Sequence, residues 1–310
     1  MLNVLAWISL ALPAYLLVCF CISLSDYLKY KKTRVPTDLD TEYVYSVYSS
    51  AEIAADPSLT DVKLYYFPAP SGKVTPYVIY LPGGSYTSCN PYDVCIPAAA
   101  EANELGYAAF VLTYRVGDYG SDYMPLDDVA AGITFITSNA SELKAEPENY
   151  MLAGFSAGGH LAGLFANEKL GYGKYGLNRP AALILGYPVV NITGGLFETG
   201  NFIADFIRLC FRRRCIRFML GRSAKKSEAE VLDLYHSVDE HYPKTFIAQG
   251  EADFLVPTKN NAEKLAATLR TSGVKVVYHL FPGITHGFGT GAGTAAEGWN
   301  REAIDFWQAL

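Results

Sequence analysis

Beyond residue 60, short apolar runs alternate with longer stretches of helical period. The runs Val62–Phe67, Thr75–Leu81, Ala108–Tyr114, Tyr150–Phe155, Ala182–Tyr187, Thr245–Gly250 and Val274–Phe281 have strand length and few polar interruptions. Between and after them, Ile96–Leu105, Leu126–Asn139, Ala157–Ala166, Asn260–Ser272 and Ala295–Gln308 carry apolar residues at helical spacing. Strands alternating with helices of this length predict an α/β domain, a mostly parallel sheet with helices on both faces. In such sheets the reactive groups gather beyond the carboxyl ends of the strands.

The first 60 residues follow a different pattern. No charged side chain occurs in residues 2–24, a run long enough to cross a bilayer as a helix of about 20 residues. Trp7 and Tyr15 lie within the run, and Tyr27 and Tyr30 follow it at interface distance. A cleaved signal peptide fits less well, because no Lys or Arg precedes the run and it exceeds a usual h-region. Residues 1–26 are therefore expected to form a transmembrane anchor, 27–59 a stalk and lead-in, and 60–310 the catalytic domain. Lys29, Lys31, Lys32 and Arg34 follow the span, which by the positive-inside bias puts the catalytic domain on the cytoplasmic side.

Composition narrows the range of functions. The formal net charge of −6, with no evident basic face, argues against nucleic acid as a partner. Half of the 310 residues are hydrophobic, enough to bury a single large core. Cys89/Cys95 and Cys210/Cys215 form two close pairs, but spacing alone does not establish a bridge and reduced thiols are expected. No Cys or His spacing suits zinc, and neither a metal nor an organic cofactor is expected.

The candidate chemistry centres on Gly154-Phe155-Ser156-Ala157-Gly158-Gly159-His160, where a strand runs into Gly-x-Ser-x-Gly and a helix follows. A turn this sharp needs small neighbours, and it lifts the serine hydroxyl above the sheet at a helix N-terminus. Serine is a poor nucleophile without a general base, and the base needs an acid to orient it. Downstream, Glu251 and Asp253 both follow the strand ending at Gly250; Asp253 is preferred, lying deeper in its loop and preceding Val256-Pro257. His286 lies in the loop after the last strand, beside Gly287. Serine, acid and histidine thus follow in one order, each beyond a strand's carboxyl end. His160 sits in the helix after the serine, and His236, His241 and His279 are expected to be structural or superficial. For a developing oxyanion the expected donors are the amides of Ala157 and, in the Pro82-Gly83-Gly84-Ser85-Tyr86 loop, of Gly84 and Ser85.

These stretches, with Gly106-Tyr107-Ala108, Leu112-Thr113-Tyr114-Arg115, Pro125-Leu126-Asp127-Asp128 and Gly186-Tyr187-Pro188-Val189, resemble the α/β-hydrolase esterase/lipase family. The likeness is to its acetyl-xylan-esterase-like and feruloyl-esterase-like carbohydrate esterase branch. It covers roughly residues 60–310 and leaves out the N-terminal run. It implies a serine hydrolase with Ser156, Asp253 and His286 as triad. Pro82 stands where many lipases and esterases have histidine, and related members carry Pro-Gly-Gly as well. The resemblance also suggests a structural part for Tyr114-Arg115, with the arginine tying down the oxyanion loop, and for Asp128.

The segment at about 192–241 departs from the strand–helix alternation and is expected to form a small helical cap. Within it, residues 202–218 interleave apolar and basic side chains, as a cap helix that packs its aromatic face over the site and exposes its arginines, or as a basic helix on an anionic membrane. The expected reaction is hydrolysis of a carboxylic ester, with a short acyl group implied by the resemblance. A lipid-directed esterase, an amidase or formamidase, and a non-catalytic binding protein on the same fold are the alternatives.

Overall fold

The computed structural model describes residues 43–194, 202–221 and 224–308. The apolar run at 2–24, and with it the expected anchor, lies outside the described residues. Among those described, no helix is long and apolar enough to cross a membrane.

One eight-stranded sheet organises the domain, in the order β1-β2-β4-β3-β5-β6-β7-β8. The strands are β1 Val44–Ser46, β2 Lys63–Phe67, β3 Thr75–Leu81, β4 Ala108–Leu112, β5 Ala145–Phe155, β6 Ala182–Gly186, β7 Thr245–Gly250 and β8 Val276–Phe281. Strands β1 and β2 are antiparallel to their neighbours, and β4, β3, β5, β6, β7 and β8 run parallel. The helices are α1 Ser50–Ala55, α2 Cys95–Glu104, α3 Met124–Ser138, α4 Ala157–Phe165, α5 Phe202–Leu220, α6 Lys226–Ala229, α7 Ala262–Thr271 and α8 Trp299–Gln308.

Strands buried on both faces read as continuous apolar runs, which is why β3, β4, β6 and β7 were visible in the sequence. Successive side chains enter opposite layers. Tyr77, Ile79 and Leu81 of β3 join the core under α3, α4 and α7, whereas Val78 and Tyr80 join the core under α2 and α8. Two buried hydroxyls find partners within these layers: Tyr80 donates to Asn300 Oδ1 at 3.1 Å and Tyr66 to the Leu143 carbonyl at 2.6 Å.

The sheet starts at residue 44, within the segment expected as stalk and lead-in. Val44–Ser46 pairs with Lys63–Tyr65, and Tyr48 donates to Asp128 Oδ1 at 2.7 Å. This edge strand is short and half-buried, so it left no apolar run to read. Strand β5 also begins five residues before Tyr150, through Glu146-Pro147-Glu148-Asn149, whose polar character concealed it.

Helix α5 lies in the expected cap segment, and its arginines divide: Arg213 and Arg214 are exposed, as expected, but others are not. Arg208 and Arg212 are buried, while Phe206 is half exposed. Arg208 pairs with Asp205 at 2.8 Å and donates through Nε to the Phe254 carbonyl at 2.6 Å. Cys215 Sγ lies 3.9 Å from the Ser85 carbonyl oxygen. The helix thus spans from the loop after β7 to the loop after β3. The buried Arg208 guanidinium is tolerated because carboxylate and carbonyl partners replace the lost water. The described cysteines, Cys89, Cys95, Cys210 and Cys215, are all free thiols. Burial pushes the Cys89 and Cys215 thiols up to about 12 and leaves them as packing groups with little thiolate character.

Candidate active site

Strands β5, β7 and β8 end on the same side of the sheet, and the loops beyond them carry Ser156, Asp253 and His286. Ser156 occupies the single residue between β5 and α4, at φ 54° and ψ −116°. A non-glycine residue held there costs on the order of 1–3 kcal/mol, so the surrounding turn must fix it. Its N–H donates to the Gly186 carbonyl at 2.9 Å, and its carbonyl accepts from His160 N at 3.0 Å and Val189 N at 3.2 Å. The flanking glycines are required by space. A Cβ on Gly154 would lie 2.2 Å from the Gly158 carbonyl oxygen, and one on Gly158 would lie 2.2 Å from that of Leu81. Real Cβ atoms do not approach backbone so closely, so the motif spacing follows from the tightness of the turn.

Ser156 Oγ is 2.9 Å from His286 Nε2, and His286 Nδ1 is 2.7 Å from Asp253 Oδ2. A carboxylate only accepts, so Nδ1 carries the ring proton, and in the neutral ring Nε2 is left to accept from the serine hydroxyl. Asp253 is buried and held on both oxygens. Oδ1 accepts from Leu255 N at 3.0 Å and Val256 N at 2.8 Å, and Oδ2 accepts from Gln249 Nε2 at 2.9 Å as well as from His286. Glu251, the other acid left open by the sequence, accepts instead from Gly283 N at 3.2 Å on the exposed side of its loop. Two backbone bonds join the acid loop to the histidine strand and loop: Glu251 N to the Phe281 carbonyl and Ala252 N to that of Ile284, both 2.9 Å. Tyr187, directly after β6, sets its ring edge-on to His286 with centroids 5.0 Å apart.

The loop after β3 stands against the serine. A Cβ on Gly83 would meet Ser156 Cβ at 3.2 Å, and one on Gly84 would meet the Ser88 carbonyl oxygen at 2.1 Å. Gly84, Ser85 and Tyr86 all have positive φ, at 134°, 58° and 56°. Among the described residues, the N–H groups of Gly84, Ser85 and Ala157 have no acceptor, so three backbone donors near Oγ are unspent. At the N-terminus of α4 such donors favour negative charge.

Tyr114, rather than Arg115, ties this loop down. Its hydroxyl donates to the Pro82 carbonyl at 2.6 Å, and Gly117 N donates to the Tyr86 carbonyl at 2.7 Å. Arg115 turns away and forms a buried bidentate pair with Asp128, with Nε 3.0 Å from both carboxylate oxygens. Burial pushes the Asp128 carboxyl up, and the hydrogen bonds from Arg115 pull it back toward the charged form. This is a structural pair linking the chain after β4 to α3, and Tyr48 adds a further donor to the same carboxylate.

His160 is structural, as the sequence led us to expect, and its contacts extend to the oxyanion loop. Burial lowers its pKa to about 4, so the ring is neutral at working pH. Nε2 lies 2.7 Å from the Leu232 carbonyl oxygen and must donate to it, which leaves Nδ1 to accept from the Tyr86 hydroxyl, also at 2.7 Å. Tyr86, next to Ser85, is thereby anchored to the helix that carries Ser156. Replacing Tyr86 with phenylalanine leaves a buried ring nitrogen unpaired and frees the loop. We expect kcat for a small ester to fall about ten-fold with KM little changed, measured by steady-state kinetics on a variant that retains its circular dichroism.

Residues 78–290 match the alpha/beta hydrolase fold family, and the chain belongs to that family. It is 29% identical over 233 residues to endo-1,4-beta-xylanase B of Butyrivibrio fibrisolvens, covering 72% of this chain and 34% of that protein. It is 28% identical over 226 residues to an acetylxylan esterase of Xylanibacter ruminicola, covering 72% and 42%. The chain thus spans between a third and a half of the length of these relatives. Among solved structures it resembles an acetyl ester-xyloside bifunctional hydrolase of Caldicellulosiruptor lactoaceticus, with TM-score 0.71, 25% identity, and 88% and 98% of the two chains covered.

Proposed function

We propose that this protein is a serine esterase that cleaves short-acyl, acetyl-type carboxylic esters. The observation that carries the reading is the continuous chain from Ser156 Oγ through His286 to Asp253, at 2.9 and 2.7 Å, beside three unspent backbone donors. In this account His286 Nε2 removes the hydroxyl proton as Ser156 Oγ bonds to the ester carbonyl carbon. Asp253 holds the ring in its tautomer and stabilises the imidazolium. The amides of Gly84, Ser85 and Ala157 receive the oxyanion. His286 then gives its proton to the departing alcohol, and the same sequence with water releases the acid from the acyl-enzyme. The acetylxylan esterase and acetyl ester-xyloside hydrolase among its relatives support acetyl groups carried on sugars.

A lipid-directed esterase is the second reading, favoured by the uncharged run at residues 2–24, which has the length of a single-pass anchor. The positive charges after that run support a cytoplasmic catalytic domain. Chain-length kinetics separate the two readings. The short-acyl account expects kcat/KM for p-nitrophenyl acetate to exceed that for the laurate ester at least about ten-fold, with acetate released from acetylated xylan. A preference for the long chain, or activation by phospholipid vesicles, would replace it with the lipid-directed reading.

A further inference from the structure

Helix α5 roofs the candidate active site on one side and walls a second cavity on the other. This cavity, of about 430 Å³, lies between α5, the chain after β6 and the segment leading into α6. Its lining contains Arg212, Arg213, Arg217 and Lys225 and, among the described residues, no acidic side chain. Several of these groups are compensated: Arg217 pairs with Asp118 at 2.8 Å at the rim, Arg212 has a partner of its own, Glu228 accepts from Lys225 N at 2.7 Å, and Asp233 accepts from Ile192 N at 2.6 Å and Thr193 N at 3.0 Å. Arg213 and Lys225 are exposed and, among the described residues, take part in no ion pair. Ser156, Asp253 and His286 do not line the cavity, so it is distinct from the candidate active site.

Arg213 and Lys225, the two cations with no ion pair among the described residues, repel each other and the partnered Arg212 and Arg217 beside them. An anion inside would relieve that repulsion. Guanidinium forks match the oxygens of phosphate, and a dianion suits several cations better than a single carboxylate does. The volume exceeds what a bare phosphate fills, and Ile192 and Ile216 supply apolar wall. The geometry points to a binding site for a phosphomonoester that carries an apolar substituent. Such a group occurs at the head of an anionic phospholipid or on a free phosphorylated metabolite. Arg213 and Lys225 are the recognition residues, since their charges are uncommitted.

The test uses the full chain in a neutral detergent with Ser156→Ala, so that binding is read without turnover. Isothermal titration is run with dihexanoylphosphatidic acid, its phosphatidylcholine counterpart, glycerol 3-phosphate and inorganic phosphate. The site is expected to bind phosphatidic acid and not the zwitterionic lipid. The Arg213→Ala/Lys225→Ala double variant is expected to weaken binding at least about ten-fold. In the otherwise wild-type chain that double variant should hydrolyse p-nitrophenyl acetate at an unchanged rate. Equal binding of glycerol 3-phosphate and phosphatidic acid would show that the apolar wall contributes nothing and would overturn a site for a phosphomonoester with an apolar substituent. Binding of the lipid alone would support it as a headgroup pocket. No binding of any phosphate, or binding that the double variant leaves intact, would overturn the proposal.

Discussion

Replacing Ser156 with alanine is expected to lower kcat for p-nitrophenyl acetate by about a million-fold, with no loss of fold. The side chain is small and its strained backbone is set by the Gly186, Val189 and His160 hydrogen bonds, which alanine leaves in place. What is lost is the Oγ held 2.9 Å from His286 Nε2. His286→Ala should cost a similar factor, and the double variant little more than either single change, because the two groups act on one proton. Such non-additivity distinguishes a working pair from two independent contributions. A loss below ten-fold for Ser156→Ala, in protein with native circular dichroism, would remove the serine from the mechanism.

The second large effect separates the two acids. Asp253→Asn is expected to reduce kcat about 10⁴-fold, and Glu251→Gln only a few-fold. Asparagine can offer an N–H to the ring and stabilise the wrong tautomer, with the proton on the nitrogen that faces Ser156. The environment of Asp253 sharpens the contrast: two backbone amides and Gln249 hold the carboxylate in register before substrate arrives. Glu251 carries one long backbone contact at 3.2 Å to Gly283. Its loss loosens a turn without touching the ring. Equal losses from the two variants would return the assignment of the acid to an open question.

Much of this arrangement was legible in the sequence because it rests on local rules. The serine turn demands glycine two residues to either side, since Gly154 and Gly158 each meet backbone where a Cβ would stand. Strands buried on both faces give apolar runs, and the loops at their carboxyl ends then locate Asp253 and His286. Order along the chain did the remainder. What escaped the sequence depends on contacts between distant segments. Tyr114 and Arg115 are neighbours in one loop, yet only the folded chain reveals that the tyrosine reaches Pro82 while the arginine turns to Asp128. The link from Tyr86 to His160 crosses 74 residues, with no periodicity to announce it. Charge favours water, so the sequence predicts exposed arginines on helix α5, which holds for Arg213 and Arg214 but not for Arg208 and Arg212. Burial of Arg208 depends on the Phe254 carbonyl, which belongs to another element. The edge strand β1 is three residues long and half-buried, too short for any pattern.

The central claim is that Ser156 is an activated nucleophile, and a fluorophosphonate probe tests it most directly. The purified wild-type chain and its Ser156→Ala variant are treated with the probe, and the labelled peptide is located by mass spectrometry. The account predicts stoichiometric labelling on the peptide containing Ser156 and none in the variant. Labelling at another residue, or a folded wild-type protein that takes up no probe, would contradict it.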